Sequence, residues 1–280
     1  MNNSGSIKSG IFNCRLIIQN SKFEIQNFKI FPVPLLSEDE KTEKKIIRMF
    51  QKGLCDYHLI NDGDRIMVAV SGGKDSLCLL EMMARRMRIR RPEFAVEAVH
   101  VRMSNIKYET DTEYLQQFCT DLGIKLHVRT TGFEVRPENK KTPCFLCSWN
   151  RRKMVFETAQ EMGCNKIALG HHQDDILHTT LLNEFYQGSF STMPVLLQMR
   201  KMPLSIIRPL CLVKEEDIRR YAAYRGYKKQ IKICPYENET KRNKTAELFA
   251  MLERENPEIR YSMWNALEKA GKLIELAPEE

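Results

Sequence analysis

The run Arg65-Ile66-Met67-Val68-Ala69-Val70 stops abruptly at Ser71-Gly72-Gly73-Lys74-Asp75-Ser76. It is apolar and rich in β-branched residues, as a buried strand should be. Leu77, Leu79, Leu80, Met82 and Met83 follow, mostly on one face at helical spacing. The pattern is a strand, a tight glycine loop and a helix N-terminus. Glycines let the backbone approach an anion closely, and the free N–H groups of the first helical turn point at it. Lys74 adds positive charge, and Ser71 and Ser76 add hydroxyls. Asp75 repels phosphate directly, so its use is to hold a metal bridging phosphate oxygens. The G-x-x-x-x-G-K-[ST] spacing of Walker A is absent. A plain β-turn would explain a Gly-Gly pair alone, but the full six-residue string after a strand favours a phosphate site.

Strand and helix patterns alternate beyond this point, which predicts a parallel sheet with right-handed crossovers. Ser37-Glu38-Asp39-Glu40 is a capping box opening a helix over 38–52 that stops at Gly53. Further strands are expected over 94–101, 124–128, 166–169 and 204–207. Helices are expected over 112–122, 148–162, 174–186 and 214–225, with two more after Lys244. The fold class is therefore α/β: an open parallel sheet with helices on both faces, plus C-terminal helices. Residues 1–36 read as an extension with a small hairpin within 12–30. Residues 37–244 read as the nucleotide-binding catalytic domain with its cysteine site, and 245–280 as a helical segment.

Hydrophobic residues make up 42% of the 280, enough for a full core, but no run of ~18 apolar residues predicts a membrane span. Residues 1–10 are polar and lack the apolar stretch of a signal peptide. Nine cysteines without such a signal predict reduced thiols in a cytoplasm. The net charge of +8 allows a polyanionic partner.

Cys144-Phe145-Leu146-Cys147 stands in a loop before a helix, and Cys234 follows a short apolar stretch. Two thiols at C-x-x-C spacing can grip one metal ion or one edge of a cluster. Three thiols leave an open position, which speaks against structural zinc. A dithiol–disulfide pair and buried small hydrophobes are the plainer alternatives. Cys55, Cys78, Cys119, Cys164 and Cys211 sit in apolar patterns and read as core.

Gly170-His171-His172-Gln173-Asp174-Asp175 follows the fourth strand and opens a helix, on the sheet edge that carries the Ser71 loop. Such a group can bind metal, orient a nucleotide or move a proton, although Asp174 could serve only as a helix cap. Basic runs flank the cysteines: Arg151, Arg152 and Lys153 on one side, and Lys228, Lys229 and Lys232 before Cys234. Single runs usually face solvent. Two around one site suit a nucleic-acid backbone.

Taken together these strings resemble the TtcA-type tRNA 2-thiocytidine synthetases among the PP-loop ATP pyrophosphatases. The resemblance spans about residues 43–267. It rests on Ser71 to Ser76, Cys144-x-x-Cys147 with Arg151-Arg152, Leu169-Gly170-His171-His172-x-Asp174-Asp175-Ile176-Leu177, Asn183-x-Phe185-Tyr186-x-Gly188, Met193-Pro194, Ile207-Arg208-Pro209-Leu210 and Cys234. Departures are His178, where the family has Glu, and Pro-Tyr-Glu after Cys234.

The resemblance implies a cytosolic enzyme that uses ATP and Mg²⁺ to adenylate the 2-oxygen of a cytidine at tRNA position 32. Sulfur then replaces that oxygen, with a [4Fe–4S] cluster on Cys144, Cys147 and Cys234. Ser71, Gly72, Gly73, Lys74 and Ser76 would bind phosphates. Lys74, Asp75 and Asp174 would be catalytic, the two aspartates as Mg²⁺ partners, and His171 and His172 would shape the nucleotide crevice. Arg151, Arg152, Lys228 and Lys229 would bind RNA. The partners implied are tRNA and a sulfur donor such as a cysteine desulfurase, with a homodimer left open. The alternatives are another RNA-thiolating enzyme of the superfamily, making 2-thiouridine, and a non-catalytic nucleotide- and RNA-binding redox sensor.

Overall fold

The computed structural model describes residues 36–104, 111–133, 142–228 and 241–278. The expected hairpin within 12–30 lies outside these residues, as do Lys229, Lys232 and Cys234. The elements in chain order are α1 (Glu38–Asp56), β1 (Arg65–Ala69), α2 (Lys74–Met87), β2 (Ala95–Met103), α3 (Thr112–Asp121), β3 (Leu126–Thr131), α4 (Pro143–Glu161), β4 (Lys166–Ala168), α5 (Gln173–Gln187), β5 (Leu196–Gln198), β6 (Ser205–Ile207), α6 (Glu215–Tyr224), α7 (Lys241–Glu255), α8 (Ile259–Lys269) and β7 (Ile274–Glu275).

The strands form one sheet in the order β3-β2-β1-β4-β6-β5-β7. Neighbours from β3 through β6 are parallel, as the alternating pattern requires. Two short strands extend the sheet beyond that expectation: β5 runs antiparallel to β6, and β7 pairs in parallel with β5. Strands this brief carry too few residues for alternation to show in sequence. The chain leaves β1 for β2 on one side and returns to the other side with β4. The loops after β1 and β4 therefore meet at the carboxyl edge, at the switch point where open α/β sheets bind ligands.

The two faces of the sheet are covered unequally. Ile66 and Val68 of β1 join a large core with Leu77, Leu80, Ile176, Ile218 and Trp264, drawn from α2, α5, α6 and α8. Met67, one residue between them, faces a smaller core built on Val99, Val101, Ile167 and Ala159 of α4. Among the described residues, α4 is the helix that supplies this second core. Arg65, at the start of β1, donates to the carbonyl of Met162, just past the end of α4. The helix thus runs antiparallel to the strands, and its first turn points toward the edge that carries the loop after β1.

Helix ends follow local chemistry. Ser37 Oγ accepts from the Glu40 N–H at 3.2 Å, and the Glu40 carboxylate accepts from the Ser37 N–H at 2.7 Å. This completes the capping box, a device worth about 1 kcal/mol. The helix does not stop at Gly53 as expected but continues to Asp56. Gly53 is there for space: a Cβ would lie 3.0 Å from Cys211 Sγ and 3.3 Å from the Pro209 carbonyl. A second difference concerns α4, which starts at Pro143 instead of Ser148. Thr142 caps it and Pro143 takes the first helical position, a start signal hidden inside an apparent polar loop. Cys144 and Cys147 therefore lie within the first two helical turns and not in a preceding loop.

Candidate active site

The loop after β1 is built as the sequence requires. Gly72 has φ +83°, a left-handed conformation that costs glycine little. Gly73 is the N-cap of α2. Ser71 Oγ accepts from the Gly73 N–H at 3.3 Å, and Ser76 Oγ donates to the Gly73 carbonyl at 2.9 Å. The two hydroxyls lie 3.3 Å apart. The loop is anchored behind by His100 on β2, whose Nδ1–H donates to the Val70 carbonyl at 2.7 Å. Burial, and the nearby charges of Arg151 and Arg102, hold His100 below the usual histidine range despite that bond. It is therefore a neutral strut at physiological pH.

The loop after β4 packs directly against this one. A Cβ at Gly170 would sit 3.1 Å from three backbone atoms: Asp75 C, Asp75 O and Ser76 N. Only a glycine allows this approach. His172, the buried N-cap of α5, then lies among carboxylates: 3.8 Å from Asp75, 3.6 Å from Asp174 and 3.5 Å from Asp175. Its own N–H donates to Asp175 Oδ2 at 3.1 Å, which fixes the start of α5.

Lys74 Nζ lies 3.1 Å from Asp75 and 3.1 Å from Glu215, the first residue of α6. Burial opposes its charge, but the two carboxylates outweigh burial and hold its pKa above the usual lysine value. Glu215 is lowered correspondingly, burial again being overcome by Lys74. A cavity of about 270 Å³ opens here, lined by Lys74, Asp75, His172, Asp175, His178 and Glu215, with Asn243 of α7 on its wall.

Asp174 differs from its neighbours. Its Oδ1 accepts from Arg260 of α8 at 2.6 Å, and its Oδ2 accepts from the Glu215 N–H at 2.8 Å. Burial would raise its pKa, but Arg260 and that N–H outweigh burial and keep it ionised below the ordinary value. Both oxygens are engaged within the protein, so Asp174 fastens α6 and α8 to the base of the site. Among the described residues no three His, Cys, Asp or Glu side chains converge as a metal-holding group.

Sequence reasoning also missed Glu215 and Arg260, which come from distant elements without any motif. His178 was noted only as a departure. It lines the cavity with its ring edge-on to Phe249 at 5.1 Å, and burial lowers its pKa. Two quoted strings prove architectural. Asn183 to Gly188 closes α5, with Gly188 at φ +62° and the Ser189 N–H bonded to the Asn183 carbonyl at 3.1 Å. Arg208 is buried and donates to the Pro194 carbonyl, which ties the Ile207-Arg208-Pro209 string to Met193-Pro194.

The remaining expected residues do not line this cavity. Cys144 is exposed and Cys147 partly so. Arg151 is partly buried and Arg152 exposed, one turn or more further along α4. Lys228 stands over the Tyr114 ring at 5.0 Å and 3.6 Å from Asp111, at the start of α3. His171 is half-buried beside His172.

The fold and the paired loops set the class, and a family model described as the PP-loop domain matches residues 38–268. A protein of Verminephrobacter eiseniae named tRNA-cytidine(32) 2-sulfurtransferase is 36% identical over 237 residues, covering 82% of this chain and 74% of its own. One of the same name from Anaeromyxobacter sp. is 37% identical over 246 residues, covering 85% and 80%. The chain belongs to this family of PP-loop proteins, the tRNA-cytidine(32) 2-sulfurtransferases. The solved structure of the U34-tRNA thiolase NcsA from Methanococcus maripaludis, with its [4Fe–4S] cluster, shares the fold. Its TM-score is 0.70 at 22% identity, covering 85% of this chain and 81% of that one.

Proposed function

We infer that this chain is an ATP-dependent sulfurtransferase that exchanges the 2-oxygen of cytidine 32 in tRNA for sulfur. The observation that carries the reading is the convergence of the 71–76 and 170–175 loops on one cavity, in a chain 36–37% identical to enzymes of that name. A pyrimidine carbonyl oxygen is a poor leaving group. When that oxygen attacks the α-phosphorus of ATP, the bond to pyrophosphate breaks and the oxygen becomes part of a good leaving group, AMP. Hydrosulfide then adds its electron pair to the same carbon, the bond to oxygen breaks as AMP departs with that oxygen, and the sulfur loses its proton to leave the thiocarbonyl.

The chain's own residues supply the first step. The N–H groups of Gly72, Gly73 and Lys74, with the Ser71 and Ser76 hydroxyls, cradle the β- and γ-phosphates at the positive end of α2. Lys74 exchanges its contacts with Asp75 and Glu215 for phosphate oxygens and balances charge as pyrophosphate leaves. Asp75, Asp175 and Glu215 make the cavity too acidic for a bare triphosphate, so their chemistry fits Mg²⁺ arriving with ATP. Asp75 is the carboxylate placed to hold it, since magnesium needs few protein ligands beside phosphate. His172 and His171 shape the crevice, and His172 orders the start of α5.

Cys144 and Cys147, at i and i+3 within the accessible first two turns, fit one edge of a [4Fe–4S] cluster, with Cys234 as the third ligand. Such a group, when bound, would hold the hydrosulfide that enters the base. Arg151, Arg152, Lys228 and Lys229 would position the tRNA backbone. The setting is the cytoplasm, with a sulfur donor such as a cysteine desulfurase.

Protein prepared under nitrogen tests the reading. Pyrophosphate release should depend on both ATP and tRNA, with about four iron and four sulfide per chain. Cys144→Ala, Cys147→Ala and Cys234→Ala should each lose the iron and the sulfur transfer while ATP still binds, whereas Cys164→Ala should do neither. Colourless protein holding one zinc would overturn the cluster, and tRNA-independent turnover would overturn the substrate.

A further inference from the structure

The face of α4 turned away from the cysteine pair carries a feature that the thiolation chemistry leaves unused. At 3.6 residues per turn, Phe145, Trp149, Arg152 and Lys153 fall within an arc of about 100°. Cys144, Cys147 and Arg151 occupy an arc of about 60° centred roughly 160° away, on the far side of the helix. The buried residues of the helix are Thr158 and Ala159, near its far end, so its first turns lie outside the core. Phe145 is 46% exposed and Trp149 49% exposed. Each residue keeps close to half of its surface accessible, and that surface forfeits the burial that would stabilise it. Lys153 Nζ lies 5.7 Å from the Trp149 ring centre, where a cation favours the ring face. Arg152 is exposed on the turn between them. Flat apolar rings bracketed by cations match an unpaired, stacked polyanion: the bases meet the rings and the phosphates meet the charges. Lys153 also lies 3.6 Å from Glu157, and an apolar protein partner would leave Arg152 without a counter-charge.

We propose that Phe145 and Trp149 form a stacking platform for unpaired bases of the substrate RNA, on the same helix as the cysteine pair and across it from the cysteine face. The proposal rests on the tRNA reading above and adds a positioning role for both rings. The platform recognises single-stranded loops by shape and stacking, not by sequence. Arg152 and Lys153 carry the neighbouring phosphates.

Trp149 is itself the reporter. The chain has two tryptophans, and Trp264 is 8% exposed, with its indole N–H donated to Tyr57. Full-length protein is titrated with a stem-loop RNA bearing an open loop, and with the same sequence as an uninterrupted duplex. The expected result is saturable fluorescence quenching by the stem-loop and none by the duplex. Phe145→Ala and Trp149→Ala should each weaken stem-loop binding roughly 5- to 100-fold, the cost of a lost base–ring stack, and leave duplex binding unchanged. Trp149→Phe should restore most of the affinity, and Trp149→Leu, similar in bulk but without a π-face, should not. Equal losses on stem-loop and duplex, or no loss in either alanine variant, would overturn the platform while leaving tRNA as substrate. Self-association that disappears in Trp149→Ala would reassign the face to contact between copies. A wild-type protein that binds neither RNA would overturn this proposal and the tRNA reading together.

Discussion

Gly170→Ala is the substitution whose consequence follows most directly from the geometry. The added methyl would lie 3.1 Å from the carbonyl carbon and oxygen of Asp75 and from the Ser76 nitrogen. Carbon contacts relax at about 3.5–4.0 Å, so the two loops must part by roughly half an ångström. None of the three atoms belongs to a flexible side chain, so the shift falls on the backbone that cradles phosphate. Overpacking of this kind costs about 1–3 kcal/mol of stability. Misplacement by a full ångström costs about 100-fold in rate, so half that distance should cost about 10-fold in kcat for tRNA-dependent pyrophosphate release. Gly63→Ala is the control. Its φ of +82° makes alanine strained by about 1–2 kcal/mol, with nothing within 4 Å to displace, and it precedes β1 at the other end of the strand. Urea denaturation should show comparable losses for both variants, but only Gly170→Ala should slow turnover of the folded enzyme. Wild-type kcat in Gly170→Ala, or an equal slowing in Gly63→Ala, would refute the close packing of the two loops as the basis of the site.

Lys74→Ala should fold and bind tRNA yet lose at least about 100-fold in pyrophosphate release, the scale of a lost charge contact in the transition state. Near-normal turnover would remove Lys74 from catalysis. Arg151→Ala combined with Arg152→Ala should reduce the salt slope of tRNA binding by roughly 1–2 units, checked by titration across a range of salt concentrations. Glu81 gives a pH prediction. Burial would raise its pKa, but hydrogen bonds from Tyr227 and Tyr221 and the charges of Arg225 and Arg85 outweigh burial and hold it below 4.5. A depressed carboxylate stabilises the fold fully above its unfolded pKa and loses that contribution as pH falls through the folded one. Glu81→Gln should therefore cost about 2 kcal/mol at pH 7, and its gap to wild type should close as denaturation is followed below pH 4.5; a gap independent of pH would contradict the assignment.

The parts of this protein that read plainly from sequence are those whose physics is local. The Ser71 to Ser76 loop, the alternation of strands and helices, and the Ser37–Glu40 cap each need only neighbouring residues. The start of α4 was legible too, in Thr142-Pro143, but a polar run before it masked the signal. What stayed hidden depends on distance along the chain. Glu215 meets Lys74 because α6 packs on α1 and α2, and Arg260 meets Asp174 because α8 packs on α5; no spacing encodes either meeting. Asp174 and Asp175 divide their acidic pair in a way no spacing encodes: Asp175 lines the cavity, and Asp174 accepts from Arg260 and the Glu215 N–H. Gly53 is similar, a helix stop in sequence but a packing requirement in space.

Nucleoside mass spectrometry of tRNA from cells with and without this protein tests the central claim most directly. The account predicts that 2-thiocytidine at position 32 is present with the protein, disappears without it, and returns with the wild-type gene but not with Lys74→Ala or Cys144→Ala. Unchanged 2-thiocytidine in cells lacking the protein, or loss of 2-thiouridine in its place, would contradict it.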